Sequence, residues 1–202
     1  MTEDEKIMHE AREGAKIIEK RLLDDKLNKI IEIGARAHGD QTRRDGSNYF
    51  AHPKRVAERV NGFTRKAAAI LHDVLEDTEE DYASLLKKVE EVVPGEGIRI
   101  VSIVQALTHD KEYETYLEYL ERVKVHSPDA VKVKVADIMD NLNDNPTPVE
   151  MVKYLAALIY LSGLGEETPE KILEILEAGK ALKDKNEKQV KRLGTFGKTI
   201  HS

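Results

Sequence analysis

The chain has no cysteine and no tryptophan, and aromatic residues make up only 5% of its 202 positions. Without cysteine there can be no disulfide, no thiolate metal ligand and no thiol nucleophile. A cysteine-free chain suits a reducing compartment. Few aromatics beside 35% charged residues argue against a β-sandwich and predict amphipathic helices. No apolar run approaches the roughly 20 residues of a membrane span. The opening Met1-Thr2-Glu3-Asp4-Glu5 is acidic and has no secretion-signal core. A cytoplasmic location is therefore expected. The chain also lacks excess positive charge: 32 Lys and Arg face 38 Asp and Glu, a net −6. That balance disfavours nonspecific binding to nucleic acid or membranes. Local basic patches remain free to take a phosphorylated small molecule.

What is present is helical periodicity. Ile7, Ala11, Ala15, Ile18 and Leu22 form a one-sided stripe, and Leu27 to Ala35 is apolar over much of its circumference. Asp24-Asp25 is a possible break between the two, and Gly39 is a helix stop. A polar stretch, Asp40 to Phe50, reads as an ordered loop. Further helices are expected over 52–60, 64–76, 79–92, 97–108, 112–124, 127–145, 148–162 and from Thr168-Pro169 onward. The 97–108 run is β-branched, so a strand is its alternative. Ser127-Pro128 and Thr168-Pro169 are helix starts, since proline loses nothing in the first turn. No repeat or linker divides the chain. The expectation is one all-α domain of about nine helices over 1–184, with a frayed tail over 185–202.

One stretch concentrates chemistry. Leu71-His72-Asp73-Val74-Leu75-Glu76-Asp77-Thr78 follows the apolar run Ala67 to Leu71. On a continuous helix, residues four apart share a face. His72 would then stand over Glu76, and Asp73 over Asp77. An imidazole and three carboxylates gathered in a partly buried place are costly unless a cation compensates. An acidic run after an apolar helix is also, quite ordinarily, a solvated helix end. Two features elsewhere bear on the choice. His52-Pro53 opens a helix, where the dipole favours the neutral imidazole that binds metals. Asp137 follows the apolar residues Ala130, Val131, Val133, Val135 and Ala136, and shares a face with Asn141.

The order His52, His72-Asp73, Asp137 resembles the HD superfamily of metal-dependent phosphohydrolases. Three boxes resemble the RelA/SpoT-type alarmone hydrolases within it. They are Gln41-Thr42-Arg43-Arg44-Asp45-Gly46-Ser47-Asn48-Tyr49-Phe50-Ala51-His52-Pro53, Leu71 to Thr78, and Val133-Lys134-Val135-Ala136-Asp137-Ile138-Met139-Asp140-Asn141-Leu142. The resemblance covers roughly residues 30 to 145. It is strongest to the small stand-alone hydrolases. Asn48 stands where proline is usual. Ile138 and Asp140 stand where a basic residue and another polar or aromatic residue are common. These departures spare the metal-ligand positions and bear on the substrate.

The resemblance implies one divalent metal, Mn²⁺ in the first place and Fe²⁺ or Zn²⁺ otherwise, bound by His52, His72, Asp73 and Asp137. It implies Glu76 and Asp77 as the catalytic carboxylates. Asn141 would hold ribose or phosphate, and Arg43 would stack on a base or pair with phosphate. Arg44 and Lys134 are further phosphate candidates, and Tyr49 is either core or site. The implied reaction removes the 3′-pyrophosphate from a guanosine 3′,5′-bis(diphosphate)-like nucleotide. Another nucleotide substrate, or a non-catalytic nucleotide sensor, is the alternative. A small nucleotide is the expected partner, with no nucleic acid, no membrane and no oligomeric state specified.

Overall fold

The computed structural model describes residues 2–43, 46–163, 171–179 and 181. Nine helices follow in order: α1 (Glu3–His38), α2 (Ala51–Glu58), α3 (Phe63–Leu71), α4 (Val74–Asp77), α5 (Tyr82–Val92), α6 (Gly97–Leu107), α7 (Tyr116–His126), α8 (Pro128–Leu142) and α9 (Pro148–Ser162). Residues 171–179 are also helical. Among the described residues there is no strand, only an isolated bridge between Thr42 and Asn48 inside the polar loop. No described helix is long and apolar enough to cross a membrane.

α3 is the axis of the fold. Ala67 to Leu71 are all buried, and α1, α2, α6 and α8 pack around them. Three successive alanines leave the neighbouring backbones room to come close. Gly34 on α1 serves the same end. A Cβ there would stand 2.7 Å from Phe50 Cε2 and 3.1 Å from the Ile70 carbonyl oxygen. The β-branched run over α6 is helical because its apolar residues fall on one face. Ile100, Val101, Val104 and Leu107 are buried, whereas Ile98 is exposed.

Three expectations are corrected. α1 is continuous through Asp24-Asp25. Two exposed aspartates carry only a modest propensity cost and leave every backbone N–H in place. The segment 64–76 is two helices, with His72 and Asp73 in the turn between them. There His72 Nδ1 donates to the Ala69 carbonyl at 2.8 Å, and the Asp73 carbonyl restarts the ladder by accepting from Asp77 N–H at 2.8 Å. α7 starts at Tyr116, because Thr115 and Glu118 form a reciprocal capping box. Tyr113 is left outside it and exposed. Thr168-Pro169 and the 185–202 tail lie outside the described residues.

Candidate metal centre and active site

The turn between α3 and α4, the start of α2 and the middle of α8 bring four side chains to one point. His72 Nε2 lies 3.0 Å from Asp73 Oδ1 and 3.6 Å from Asp137 Oδ1. His52 Nε2 lies 3.1 Å from Asp137 Oδ1 and 3.7 Å from Asp73 Oδ2. His52, His72 and Asp137 are buried. His52, His72 and Asp73 each offer a ligand atom within 4.8 Å of the others. Asp137 completes the group through its contacts with both rings.

The protonation pattern fits a cation. A carbonyl can only accept, so His72 Nδ1 carries a hydrogen and Nε2 faces the cluster. That buried Nε2 has no hydrogen-bond partner. Burial works against charge on His72, but Asp73 and Asp137 outweigh it and raise its pKa to about 9. The carboxylates therefore draw a positive charge to this point, which a divalent ion could supply as well as a proton. Imidazole nitrogens and carboxylate oxygens are ligands for a first-row divalent metal.

A second ring of groups orients the first. His52 Nδ1 meets Asp140 Oδ2 at 2.8 Å, and Arg55 Nε and Nη2 donate to Asp140 at 2.9–3.1 Å. Asp137 Oδ2 accepts from Lys134 Nζ at 2.8 Å and its Oδ1 from Asn141 Nδ2 at 2.7 Å. Burial opposes both charges of the Lys134–Asp137 pair. Each nonetheless holds the other charged, the carboxyl well below its usual range and the ammonium well above.

Glu76 and Asp77 stand beside this centre on different supports. Glu76 Oε2 accepts from the His109 N–H at 3.1 Å, and Lys111 Nζ lies 2.8 Å from its Oε1. Asp77 Oδ2 accepts from the Tyr49 hydroxyl at 2.6 Å, and its carbonyl accepts from Gln41 Nε2 at 2.8 Å. The same hydroxyl reaches Asp73 Oδ2 at 2.7 Å. Burial, then Asp73 and Asp77, push the Tyr49 phenol far above its ordinary pKa. It stays a donor, bridging two carboxylates with one hydrogen. The Asp73–Asp77 pairing expected from the four-residue spacing is present. For Glu76 the turn at His72-Asp73 makes the partners those of the loop after α6.

Of the substrate candidates, Lys134 and Asn141 contact the cluster directly. Arg43 does not. Its Nη2 donates to Asp144 Oδ2 at 2.6 Å, and its buried Nη1 has no partner. It lines a 250 Å³ cleft with Ser47, Arg55, Arg59, Asp140 and Asn143. Arg44 lies outside the described residues.

Sequence reasoning missed three residues and left Tyr49 open between core and site. Asp140 was legible as an acid three positions after Asp137 in an apolar helix. Tyr49 carried a family-box position without a role. Lys111 and Lys153 had no local signal. Lys153 Nζ sits 4.3 Å from the Tyr116 ring centroid and has no carboxylate partner among the described residues. Burial, with Lys134 and Lys111 nearby, lowers its pKa. Three lysines thus edge the carboxylates of the centre.

No protein-family model matches the chain. A guanosine-3′,5′-bis(diphosphate) 3′-pyrophosphohydrolase of Aquifex aeolicus is 27% identical over 128 residues, 58% of this chain. The chain spans less than a fifth of that protein, 17%, and 18% of a Mycoplasma pneumoniae relative with a similar name. A Danio rerio protein, guanosine-3′,5′-bis(diphosphate) 3′-pyrophosphohydrolase MESH1, is 30% identical over 129 residues, which are 58% of this chain and 68% of that one. A solved structure described as a metazoan orthologue of SpoT that hydrolyses ppGpp superposes with a TM-score of 0.56 at 24% identity, covering 76% of this chain and 94% of the other. The buried His–Asp cluster, the all-helical fold and the match across two thirds of the Danio protein agree: the chain belongs to the RelA/SpoT-type HD family of guanosine-3′,5′-bis(diphosphate) 3′-pyrophosphohydrolases.

Proposed function

We propose that this chain removes the 3′-pyrophosphate from guanosine 3′,5′-bis(diphosphate)-like nucleotides, with one divalent metal held by His52, His72, Asp73 and Asp137. The observation that carries the reading is the convergence of these four side chains around a buried, unpartnered His72 Nε2. Two imidazoles and two carboxylates suit Mn²⁺, Fe²⁺ or Zn²⁺, and the family resemblance puts Mn²⁺ first. When bound, the metal supplies a Lewis acid for a phosphoryl oxygen and a water of lowered pKa.

The rest falls to the chain. Water adds to the 3′-bound phosphorus, the bond from phosphorus to the ribose 3′ oxygen breaks, and pyrophosphate departs. Glu76 and Asp77 take the proton from the water and return one to the ribose oxygen. Their supports fix them for this. Glu76 is clamped by His109 and Lys111, and Asp77 by Tyr49 and Gln41. Lys111, Lys134 and Lys153 offset the charge of the diphosphate. Asn141 holds ribose or phosphate. The unpartnered Nη1 of Arg43 is a donor for the nucleotide, and Arg44 is a second phosphate contact. A small nucleotide substrate also fits the cytoplasmic setting expected from composition.

The test measures bound metal and pyrophosphate release together. The wild type is expected to carry one metal per chain and to release pyrophosphate in Mn²⁺. Asp73→Ala loses the metal. Glu76→Gln and Asp77→Asn keep it and lose about 10²–10⁴ in turnover. Full metal in Asp73→Ala sinks the ligand set. Release of orthophosphate alone, or activity confined to other nucleotides, sinks the substrate.

A further inference from the structure

Among the described residues, nothing covers the first part of α1. Residues 12, 13 and 15–25 are all exposed, and among the described side chains of the helix the first that is fully buried is Ile30. At 1.5 Å per residue the arm projects about 35 Å beyond the domain body. An unsupported helix in water is marginal, yet this one exposes Met8 (55%), Ile18 (68%) and Leu22 (54%). These are not scattered. Met8, Ala15 and Leu22 recur every seven residues, and Ile18 falls three after Ala15, which is the seam of a coiled coil. Ile17 and Leu23 lie off this seam.

We propose that α1 is a dimerisation arm, with two copies of the chain pairing antiparallel through Met8, Ala15, Ile18 and Leu22. The charges beside the seam select both the partner and its direction. The flanking position that follows Ile18 recurs as Glu5, Arg12, Glu19 and Lys26. An antiparallel pair with Ala15 of one copy facing Ile18 of the other sets Arg12 against Glu19, twice by symmetry. It sets Glu5 against Lys26 outside them. Arg12, Glu19 and Lys26 have no ion-pair partner among the described residues, so they are available for it.

A parallel pair fails on the same residues. It would set Arg21 of one copy against Lys26 of the other, and the two Asp25 side chains against each other in the seam. The antiparallel pair moves Asp25 to the rim beside Met8, where the apolar seam ends. The overlap from Glu5 to Lys26 is about 33 Å long. The arm itself is acidic, with eight acids against five bases over residues 3–25. That disfavours an anionic membrane or a nucleic acid as the occupant.

Sedimentation equilibrium of the full chain at micromolar concentration tests the proposal. The expected mass is twice 22.8 kDa. Ile18→Glu with Leu22→Glu should give a monomer with lower helicity, as the arm loses its partner, and unchanged hydrolysis, since both residues are remote from the centre. Arg12→Glu should weaken the dimer at least tenfold, and Arg12→Glu with Glu19→Arg should restore it. A spin label on Met8→Cys, in a chain with no other cysteine, should report a separation of about 25 Å, 17 residues along the helix. A monomeric wild type, or a dimer indifferent to Ile18→Glu with Leu22→Glu, overturns the arm. A label separation near 10 Å overturns the antiparallel arrangement.

Discussion

His52 Nδ1 lies 2.8 Å from Asp140 Oδ2, a contact that spans 88 residues of chain. It fixes which face of the ring looks into the cluster, since the nitrogen that meets Asp140 leaves Nε2 to face Asp73 and Asp137. Arg55 and, at 3.6 Å, Arg59 keep Asp140 charged in a nearly dry site. Removing that charge should leave the metal ligands in place but badly aimed. Asp140→Asn is expected to weaken metal binding about 10–100-fold. Competition titration against a chelator reads the affinity, and an unchanged value removes Asp140 from the support of the centre.

Arg43 and Asp144 make a different kind of pair. The guanidinium is mostly covered, while the Asp144 carboxylate is 42% exposed. If Arg43 holds the nucleotide, Asp144 competes for it. Arg43→Ala should raise KM about ten- to a hundredfold, as expected for one lost charged hydrogen bond, with a smaller effect on kcat. Asp144→Ala should lower KM. Steady-state kinetics in which neither variant shifts KM would separate the loop from substrate binding.

Gly34 is where α1, α3 and the polar loop meet most tightly. The Ile70 carbonyl belongs to α3 and cannot yield, and the Phe50 ring is buried. Gly34→Ala adds helix propensity, but the clash outweighs that gain. Urea unfolding should show a loss of about 1–3 kcal/mol. A gain in stability would mean that the contact is looser than the distances imply.

Glu114 links the loop after α6 to the body. Arg122 donates to Glu114 and also to the Ala106 and Thr108 carbonyls, at 3.0 and 2.8 Å. The same loop carries the His109 N–H and Lys111 that hold Glu76. Burial works against the Glu114 charge, but Arg122 and the Asp110 N–H outweigh it and lower its pKa. The unfolded chain therefore takes up this proton first. The stabilisation is complete above the ordinary glutamate value of about 4.3 and is lost as pH falls through the lowered folded value. Urea midpoints measured from about pH 6 to pH 3 should fall less steeply in Glu114→Gln than in the wild type. Parallel curves would show that the ion pair contributes nothing.

The sequence by itself determined the helical class, the core run Ala67 to Leu71, the cap at Ser127, and the three boxes that bring His52, His72, Asp73 and Asp137 to notice. The helical class, the core run and the cap rest on spacings of one to seven residues, which a helix turns directly into a shared face or a satisfied terminus, and the boxes rest on the family resemblance. The tertiary structure decided what lay between elements. Whether 64–76 is one helix or two depends on how His72 reaches Asp137 on α8 and Asp73 reaches His52 on α2, so the turn at His72-Asp73 has no local signature. Asp140 found His52, Tyr49 found Asp77, Lys111 found Glu76 and Arg43 found Asp144 only when α2, the polar loop and the loop after α6 were packed around α3 and α8. A buried charge is tolerated only beside its partner. That partner is chosen by distance in space, across tens of residues, and no periodicity along the chain records it.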